Sequence, residues 1–364
     1  MKKITTTLGA IALTATAAHA GGIDRSGQNI GVLFEKGRVV ELSFGRVMPT
    51  VSGNDIARQP TGNVAIDYSQ VGLAYKYDIN EKAAFALIID QPFGAKVSYG
   101  TTSPVLGRTA ADASSVAVTG LLRYKLNENF SIHGGLRAQQ IEATVDLRGA
   151  GYGSLNGYSV KFDKDWGLGY VAGVAYERPE IALRVALTYN SGIKHNLKTT
   201  QNFAPAGSPD TGTKSPQSVN LDFQTGVAAG TLMFGQIRWA DWSEFKLQPS
   251  VLRGNSLVNL DDTTTYTLGV GRKFNENWSG AVSVVYEKEG NPLVSPLAPT
   301  TGRLGMTLAG IYTRDNMKIT TGINYTKLGD ATPYTGALRD VSAKRADFSG
   351  NKAVGVGIKV AYSF

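Results

Sequence analysis

The chain has 364 residues and a formal net charge of +8, with 43 glycines, 16 tyrosines and no cysteine. No segment after residue 20 approaches the roughly 18 consecutive apolar residues that a transmembrane helix needs, and the lack of cysteine excludes a disulfide scaffold. The basic residues form no run interleaved with aromatic residues, so we expect no nucleic-acid partner.

Residues 1–20 have the pattern of a secretory signal peptide. A basic start, Met1-Lys2-Lys3, precedes a short apolar stretch that ends at Ala18-His19-Ala20, an A-x-A cleavage site. The alternative is a membrane anchor, but the stretch is short and rich in threonine. We therefore expect an exported protein whose mature chain begins at Gly21.

Residues 21–37 come before the first regular alternation of apolar and polar residues. They include Asn29, Ile30, Leu33 and Phe34, and the segment is too long and too apolar for a free tail. A wide barrel has a water-filled lumen that such a segment can fill. We predict a luminal plug, or hatch, over 21–37. The alternative is a first strand that begins early.

Residues 38–364 are predicted to form a transmembrane antiparallel β-barrel, so the fold class is all-β. Apolar residues at every second position are typical of strands with one face toward lipid. About fourteen such segments lie at 38–52, 64–78, 83–99, 114–126, 130–148, 166–178, 181–199, 218–229, 232–247, 264–274, 277–288, 303–314, 317–329 and 351–364. The last one shows the pattern best, and it ends on Phe364.

The connections alternate between short and long. Short ones such as 80–82 and 275–277 are polar turns, whereas long ones such as 100–113 and 200–217 are rich in glycine, proline, serine and threonine. This asymmetry is typical of bacterial outer-membrane barrels, whose short turns face the periplasm. Aromatic residues near both strand ends predict two girdles at the membrane interfaces, which include Phe130, Trp278, Tyr99, Trp242 and Tyr286.

The third strand contains an irregularity at Asp90, Gln91, Pro92, Phe93 and Gly94. Proline cannot donate to a sheet ladder, and a closed barrel has no free edge that would tolerate it. We predict that the wall kinks or parts here. The alternative is a simple bulge near the rim.

The sequence gives no support for an enzyme. The mature chain has two histidines, His133 and His195, on separate predicted strands with no carboxylate nearby in sequence. We expect His195 to be a rim residue. The acidic pairs are too sparse for a metal site, so no catalytic residue, metal or cofactor is expected.

Four stretches resemble a known family: Asp90-Gln-Pro-Phe-Gly-Ala95, Leu187-Thr-Tyr-Asn-Ser-Gly-Ile-Lys-His195, Arg238-Trp-Ala-Asp-Trp-Ser-Glu-Phe245 and Phe348-Ser-Gly-Asn351. They are similar to stretches of the FadL-type long-chain fatty-acid transporters, a family that also includes outer-membrane transporters of aromatic hydrocarbons. The resemblance implies a fourteen-stranded barrel with an N-terminal hatch. It also implies that hydrophobic substrate leaves sideways into the bilayer through a kink in the third strand.

A fatty acid inside the lumen needs a cation or several donors for its carboxylate, because an unpaired buried charge is costly. Alternation turns Arg184, Arg238 and Arg137 inward, and Phe234 and Trp242 share the inward phase of the ninth strand. These five residues are the candidate ligand contacts. Alternatively, the arginines pair with luminal carboxylates and only hold the interior together.

The sequence therefore predicts an outer-membrane channel for passive uptake of hydrophobic molecules, with long-chain fatty acids as the expected ligands. We expect a monomer in contact with outer-membrane lipid and lipopolysaccharide. A general porin for small polar solutes is the alternative, and it would have an open, charge-lined lumen. A structural or adhesion barrel would need neither plug nor kink.

Overall fold

The computed structural model describes residues 23–205, 207–336 and 339–364. The predicted signal peptide, 1–20, lies outside these residues, as do the first two residues of the segment 21–37. Among the described residues, no helix is both long and apolar enough to cross a membrane.

The described chain forms a closed antiparallel β-barrel of 14 strands. In chain order the strands are β1 (Val39–Thr50), β2 (Tyr68–Asp78), β3 in two segments (Ala83–Asp90 and Gly94–Ser98), β4 (Ala110–Lys125), β5 (Phe130–Asp146), β6 (Ser159–Arg178), β7 (Leu183–Asn190), β8 (Ser218–Ala228), β9 (Thr231–Ala240), β10 (Thr263–Lys273), β11 (Trp278–Glu287), β12 (Thr301–Arg314), β13 (Met317–Gly329) and β14 (Lys352–Ser363). The barrel prediction from sequence is confirmed.

Each strand pairs with its neighbours in the chain, and the ring closes between the first and the last strand. There Val39 lies opposite Ser363 and Thr50 opposite Lys352, a full antiparallel ladder. Closure gives every strand two partners, so backbone polar groups are satisfied within the sheet. Two stretches of the described wall lack a ladder: one between β6 and β7, where pairing stops at Val171 opposite Asn190 and resumes at Phe162 opposite Thr199, and one between β2 and β3, which is described below.

The outer surface of the barrel carries an apolar band. Along β14, Val356, Ile358 and Tyr362 are exposed, whereas the intervening Lys359 turns inward and its ammonium group lies 3.3 Å from the Glu41 carboxylate. Alternation with the apolar residues outside is the pattern of a strand with one face toward lipid. The face assignment predicted for this strand is confirmed.

The aromatic girdles are confirmed in part. Phe130, Trp278 and Tyr286 are exposed on the outer surface near strand ends. Tyr99 and Trp242, which were also assigned to a girdle, are buried instead, at 3% and 0% exposure. Both residues follow the last residue of a barrel strand, where the chain turns inward into a loop and strand alternation no longer sets the direction of the side chain.

Three of the short turns share one construction. The side-chain oxygen of Asn80 accepts hydrogen bonds from the backbone N–H groups of Lys82 and Ala83, at 2.9 and 2.8 Å. Asn127 and Asn275 make the same pair of bonds in their own turns. An asparagine that bonds the backbone two and three residues ahead stabilises a tight reversal.

The long loops pack over the other end of the barrel. They contain the short strands Gly53–Asp55, Ile193–Leu197, Thr199–Gln201, Thr211–Ser215, Leu293–Val294, Thr332–Pro333 and Ala346–Phe348. They also contain the 3-10 helices Ala150–Leu155, Trp242–Glu244, Ser250–Leu252 and Val341–Ala343, and the remaining 3-10 helices are Gly31–Phe34 and Pro179–Ile181. The loops are tied together by buried contacts: the Tyr99 hydroxyl donates to the carbonyl of Pro296 at 2.9 Å, and burial raises the pKa of this hydroxyl well above its ordinary value.

Three predicted strand ends differ from the structure by seven residues or more. Strand β6 begins at Ser159 rather than 166, the predicted strand 181–199 leaves the wall after Asn190, and β9 ends at Ala240 rather than 247. At the start of β6, the outward side chains of Lys161 and Asp163 form an ion pair of 2.7 Å. This part of the strand is polar on its outer face, so the apolar alternation that reveals the other strands is missing.

The barrel should resist detergent unfolding because its backbone hydrogen bonds close on themselves. We expect unheated protein in SDS to migrate differently from boiled protein, and its circular dichroism to be dominated by β-structure. A helical spectrum, or one electrophoretic mobility under both conditions, would contradict the fold.

Candidate functional site

The barrel wall is interrupted between β2 and β3. The two strands pair from Asp78 opposite Ala84 up to Leu73 opposite Ile89, and backbone-to-backbone bonding resumes only where Ile66 donates to the carbonyl of Lys96 at 3.2 Å. Among the described residues, no backbone-to-backbone hydrogen bond joins 67–72 to 90–95. The break falls at the irregularity predicted from Pro92, which has no N–H to donate.

A cavity of about 120 Å³ lies in the wall at this break. Its lining includes exposed residues of the barrel exterior, Phe44, Val71 and Leu73, which are 41–53% exposed. It also includes Ser26 and Val32 from the interior. The cavity thus connects the outer apolar surface with the segment that lies inside the barrel.

Residues 23–37, here called the N-terminal segment, take the place of β2 as the hydrogen-bond partner of the displaced third strand. The carbonyl of Pro92 accepts from the backbone N–H of Arg25 at 2.7 Å, and Gly94 donates to the carbonyl of Ile23 at 2.7 Å. The Ser26 hydroxyl donates to the Asp90 carboxylate. Inward displacement of this part of β3 is therefore stabilised by pairing with the segment.

The segment packs against the inner wall as well. Ile30 and Leu33 are buried against residues of β2, β3, β4 and β6, and Leu33 is completely buried. The side chain of Asn29 accepts from the N–H of Gly31, the first residue of the 3-10 helix Gly31–Phe34, at 2.6 Å.

Above the break, toward the long loops, the lumen contains an apolar cluster. Phe93 packs edge-on against Trp242 with ring centroids 5.1 Å apart, and Trp242 packs in the same way against Phe245 at 6.0 Å. The buried members of the cluster are Phe93, Val97, Ala111, Ala143, Val145, Leu147, Tyr158, Val160, Phe162, Leu197, Ala240, Trp242, Phe245, Leu247, Leu252, Leu257, Val258, Leu260 and Leu297. Apolar surface therefore extends from beneath the outer loops to the break.

Below this cluster lies a polar layer that holds the N-terminal segment. The guanidinium of Arg238 donates to the carboxylate of Asp24 at 2.6 Å and to the side-chain oxygen of Gln28 at 3.1 Å. Ser218 donates to the same oxygen of Gln28 at 2.7 Å, and Asn220 donates to the carbonyl of Gly27 at 3.0 Å. Arg238 is an inward-facing residue, as predicted, and its charge is paired within the protein.

Breaking the buried Arg238–Asp24 pair should release the N-terminal segment. Removing one partner of a buried ion pair costs about 3–5 kcal/mol, so Arg238→Gln should lower the thermal stability and make the segment accessible to protease added to detergent-solubilised protein. The control is Arg178→Gln at the exposed Arg178–Glu180 pair, where we expect the free energy of unfolding to fall by only about 0–1 kcal/mol. Equal protease resistance of the two variants would contradict this role of Arg238.

Arg137 lies in the same polar layer with different partners. Its guanidinium donates to the Thr119 hydroxyl and to the side-chain oxygen of Asn190, both at 2.8 Å, and the residue is 3% exposed. These two hydrogen-bond partners are neutral, and the buried carboxylate of Asp90 acts on the charge of Arg137 without a direct hydrogen bond. A buried cation with neutral partners is suited to receive an anionic group.

At the periplasmic end, two guanidinium groups enclose Phe34. Arg123 and Arg184 lie over its ring at 4.8 and 4.6 Å, and the ring of His133 meets it edge-on at 5.8 Å. These are cation–π contacts between the end of the N-terminal segment and the barrel wall. They place Arg184 on the far side of the segment from the apolar cluster.

The five predicted ligand contacts do not form one site. Trp242 is in the apolar cluster, and Arg137 and Arg238 are in the polar layer. Arg184 and Phe234 are both opposite Gln224 in the sheet register, at a level nearer the periplasm. Strand alternation predicted their direction, but it gives no information on which residues share a level.

Several residues of the site were not predicted. Arg25 donates to the carbonyl of Gly94 at 3.0 Å and lies 4.3 Å from the ring of Tyr68, and Asp24 and Gln28 bind Arg238. The signal that was available is the concentration of polar residues at 24–29. His195, expected at the rim, is buried and contacts Asp165 and Gln139 at 3.2 and 3.3 Å, because the outer loops cover it.

A closed barrel with an apolar exterior, short turns at one end and a segment packed inside its lumen defines an outer-membrane channel protein. The chain belongs to the outer membrane protein transport protein family (OMPP1/FadL/TodX), whose model matches residues 41–364. Members of this family are outer-membrane transporters of hydrophobic compounds. The protein is accordingly located in the bacterial outer membrane.

Solved structures show the same fold. A Pseudomonas aeruginosa FadL homologue is 16% identical, with 96% of this chain and 97% of that chain covered and a TM-score of 0.75. The Pseudomonas putida toluene transporter TodX (11% identity, 96% and 99% covered) has a TM-score of 0.66, and the Ralstonia pickettii toluene transporter TbuX (14% identity, 96% and 97% covered) one of 0.63. No curated protein shows significant sequence similarity to the chain.

Proposed function

We propose that this protein takes up long-chain fatty acids by passive diffusion and releases them sideways into the bilayer between β2 and β3. The observation that carries the proposal is the wall cavity, which joins exposed Val71 and Leu73 outside to Ser26 and Val32 inside. A lipopolysaccharide layer excludes apolar solutes, whereas an apolar lumen lowers that barrier. Release through the wall keeps the ligand out of water.

The N-terminal segment is, in this proposal, a luminal plug. Its burial of Ile30 and Leu33 against four strands blocks the direct path to the periplasm. Its hydrogen bonds to Pro92 and Gly94 hold the third strand away from β2. One segment thus both blocks the axial route and keeps the backbones of β2 and β3 apart at the lateral one.

The layering of the lumen suits an amphipathic ligand. The acyl chain would lie in the apolar cluster around Phe93 and Trp242, and the carboxylate would reach Arg137 in the polar layer below. Arg137 is the preferred head-group contact because Arg238 is already paired with Asp24 and Arg184 lies beyond the plug. The chemistry proposed is ion pairing without any covalent step, so the protein is not an enzyme.

The test is binding of oleate and of hexadecane to purified Arg137→Gln protein. We expect the affinity for oleate to fall by roughly 10- to 100-fold, since a charge-assisted hydrogen bond contributes about 1.5–3 kcal/mol. Binding of the alkane should be unchanged. The control is Arg272→Gln at an exposed position of β10. An equal loss of affinity for both ligands would indicate structural damage, and unchanged oleate binding would exclude Arg137 as the residue that binds the carboxylate.

A further inference from the structure

Two side-chain amides span the break between β2 and β3. The side-chain oxygen of Gln91 accepts the backbone N–H of Val71 at 3.0 Å, and the side-chain N–H of Gln70 donates to the backbone carbonyl of Gln91 at 3.3 Å. Gln91 directly precedes Pro92, and both glutamines line the wall cavity. Most of the barrel wall is joined by backbone ladders, whereas this stretch is joined through side chains.

The Val71 N–H has a particular need for this bond. Val71 is 53% exposed on the lipid-facing surface, where the lipid hydrocarbon offers no acceptor to replace a lost one. A ladder hydrogen bond cannot break without moving the strand. A side-chain acceptor, in contrast, is lost and regained by rotation about the Gln91 side-chain bonds while both backbones stay in place.

We propose that Gln91, with Gln70, is the gate residue of the lateral opening: its side-chain amide closes the wall by bonding Val71 and opens it by rotating away. This inference rests on the proposed lateral release. The closed state keeps membrane lipid out of the lumen and satisfies the backbone. The open state exposes the Val71 N–H to a ligand oxygen that passes through the break.

The state of the gate is measured at Val71 itself. Hydrogen–deuterium exchange with residue-level fragmentation, on protein in detergent micelles, should show the Val71 amide protected in the wild type. In Gln91→Met, which keeps the side-chain length but removes the acceptor, its exchange should be roughly tenfold faster, the loss expected for one hydrogen bond. In Gln91→Glu, which keeps an acceptor oxygen, protection should persist.

The matched control is Gln236→Met. Gln236 is another luminal glutamine, on β9, whose side chain donates to Asp222 at 2.8 Å, and its replacement should leave the Val71 amide unchanged. Heat-dependent mobility in SDS establishes that each variant is folded. If Val71 exchanges at the same rate in Gln91→Met and in the wild type, Gln91 is not the gate and the inference fails.

Oleate uptake by cells that carry Gln91→Met separates this inference from the proposed function. Faster Val71 exchange together with faster uptake supports both the gate and the lateral route. Faster exchange with unchanged uptake supports the gate but contradicts release through this break.

Discussion

A disulfide across the break is expected to abolish fatty-acid uptake. The Val71→Cys/Gln91→Cys protein places two cysteines at positions joined in the native protein by a hydrogen bond of 3.0 Å, and the chain has no cysteine that would compete. A covalent bond here closes the proposed exit whatever the position of the plug. The measurement is uptake of radiolabelled oleate by cells before and after oxidation, with the extent of crosslinking determined by mass spectrometry.

The control crosslink is Tyr75→Cys/Leu87→Cys. These residues face each other in the intact ladder of the same two strands, so a disulfide between them should leave uptake unchanged. Reduction should restore uptake in the first variant. Full crosslinking at positions 71 and 91 with normal uptake would exclude the lateral route.

Removal of residues 23–35 should convert the barrel into an open pore. The lumen then loses the buried side chains of Ile30 and Leu33 and the ring of Phe34 between two arginines. A barrel of fourteen strands is wide enough to hold water once its interior is empty. In planar bilayers we expect the truncated protein to give stable ion-conducting openings that the full chain lacks.

The Arg178→Gln protein, which is altered at an exposed turn, serves as the control and should conduct as the wild type does. The truncated protein must retain heat-dependent mobility in SDS, because an unfolded barrel also fails to conduct. A folded, truncated barrel that conducts no better than the wild type would show that the N-terminal segment is not the plug.

The barrel could be predicted from sequence because the membrane imposes a strong pattern. Residues such as Val356 and Ile358 must face lipid, and a strand with one face toward lipid must alternate. The apolar alternation is lost where a strand extends beyond the membrane. At Ser159–Asp165 the strand continues beyond the apolar band with a polar outer face, and its beginning was therefore missed.

The sequence predicted only those features of the site that follow from the chemistry of a single residue or a short stretch. Pro92 predicts an interruption because the missing N–H is a property of the residue itself. The residues that bond to one another around the interruption are distant in sequence: Arg238 donates to Asp24, and Val71 donates to Gln91 across the wall. Such contacts depend on the register of several strands and on the path of the N-terminal segment, which no single stretch of sequence specifies.

The measurement that tests the central claim most directly is uptake by Gram-negative cells that lack their own long-chain fatty-acid channel. Radiolabelled oleate and a radiolabelled disaccharide are supplied to cells with and without this protein, at equal levels of protein in the outer membrane. We predict that the protein accelerates oleate uptake and leaves disaccharide uptake unchanged. Acceleration of the disaccharide without acceleration of oleate would identify a general porin and would contradict the account.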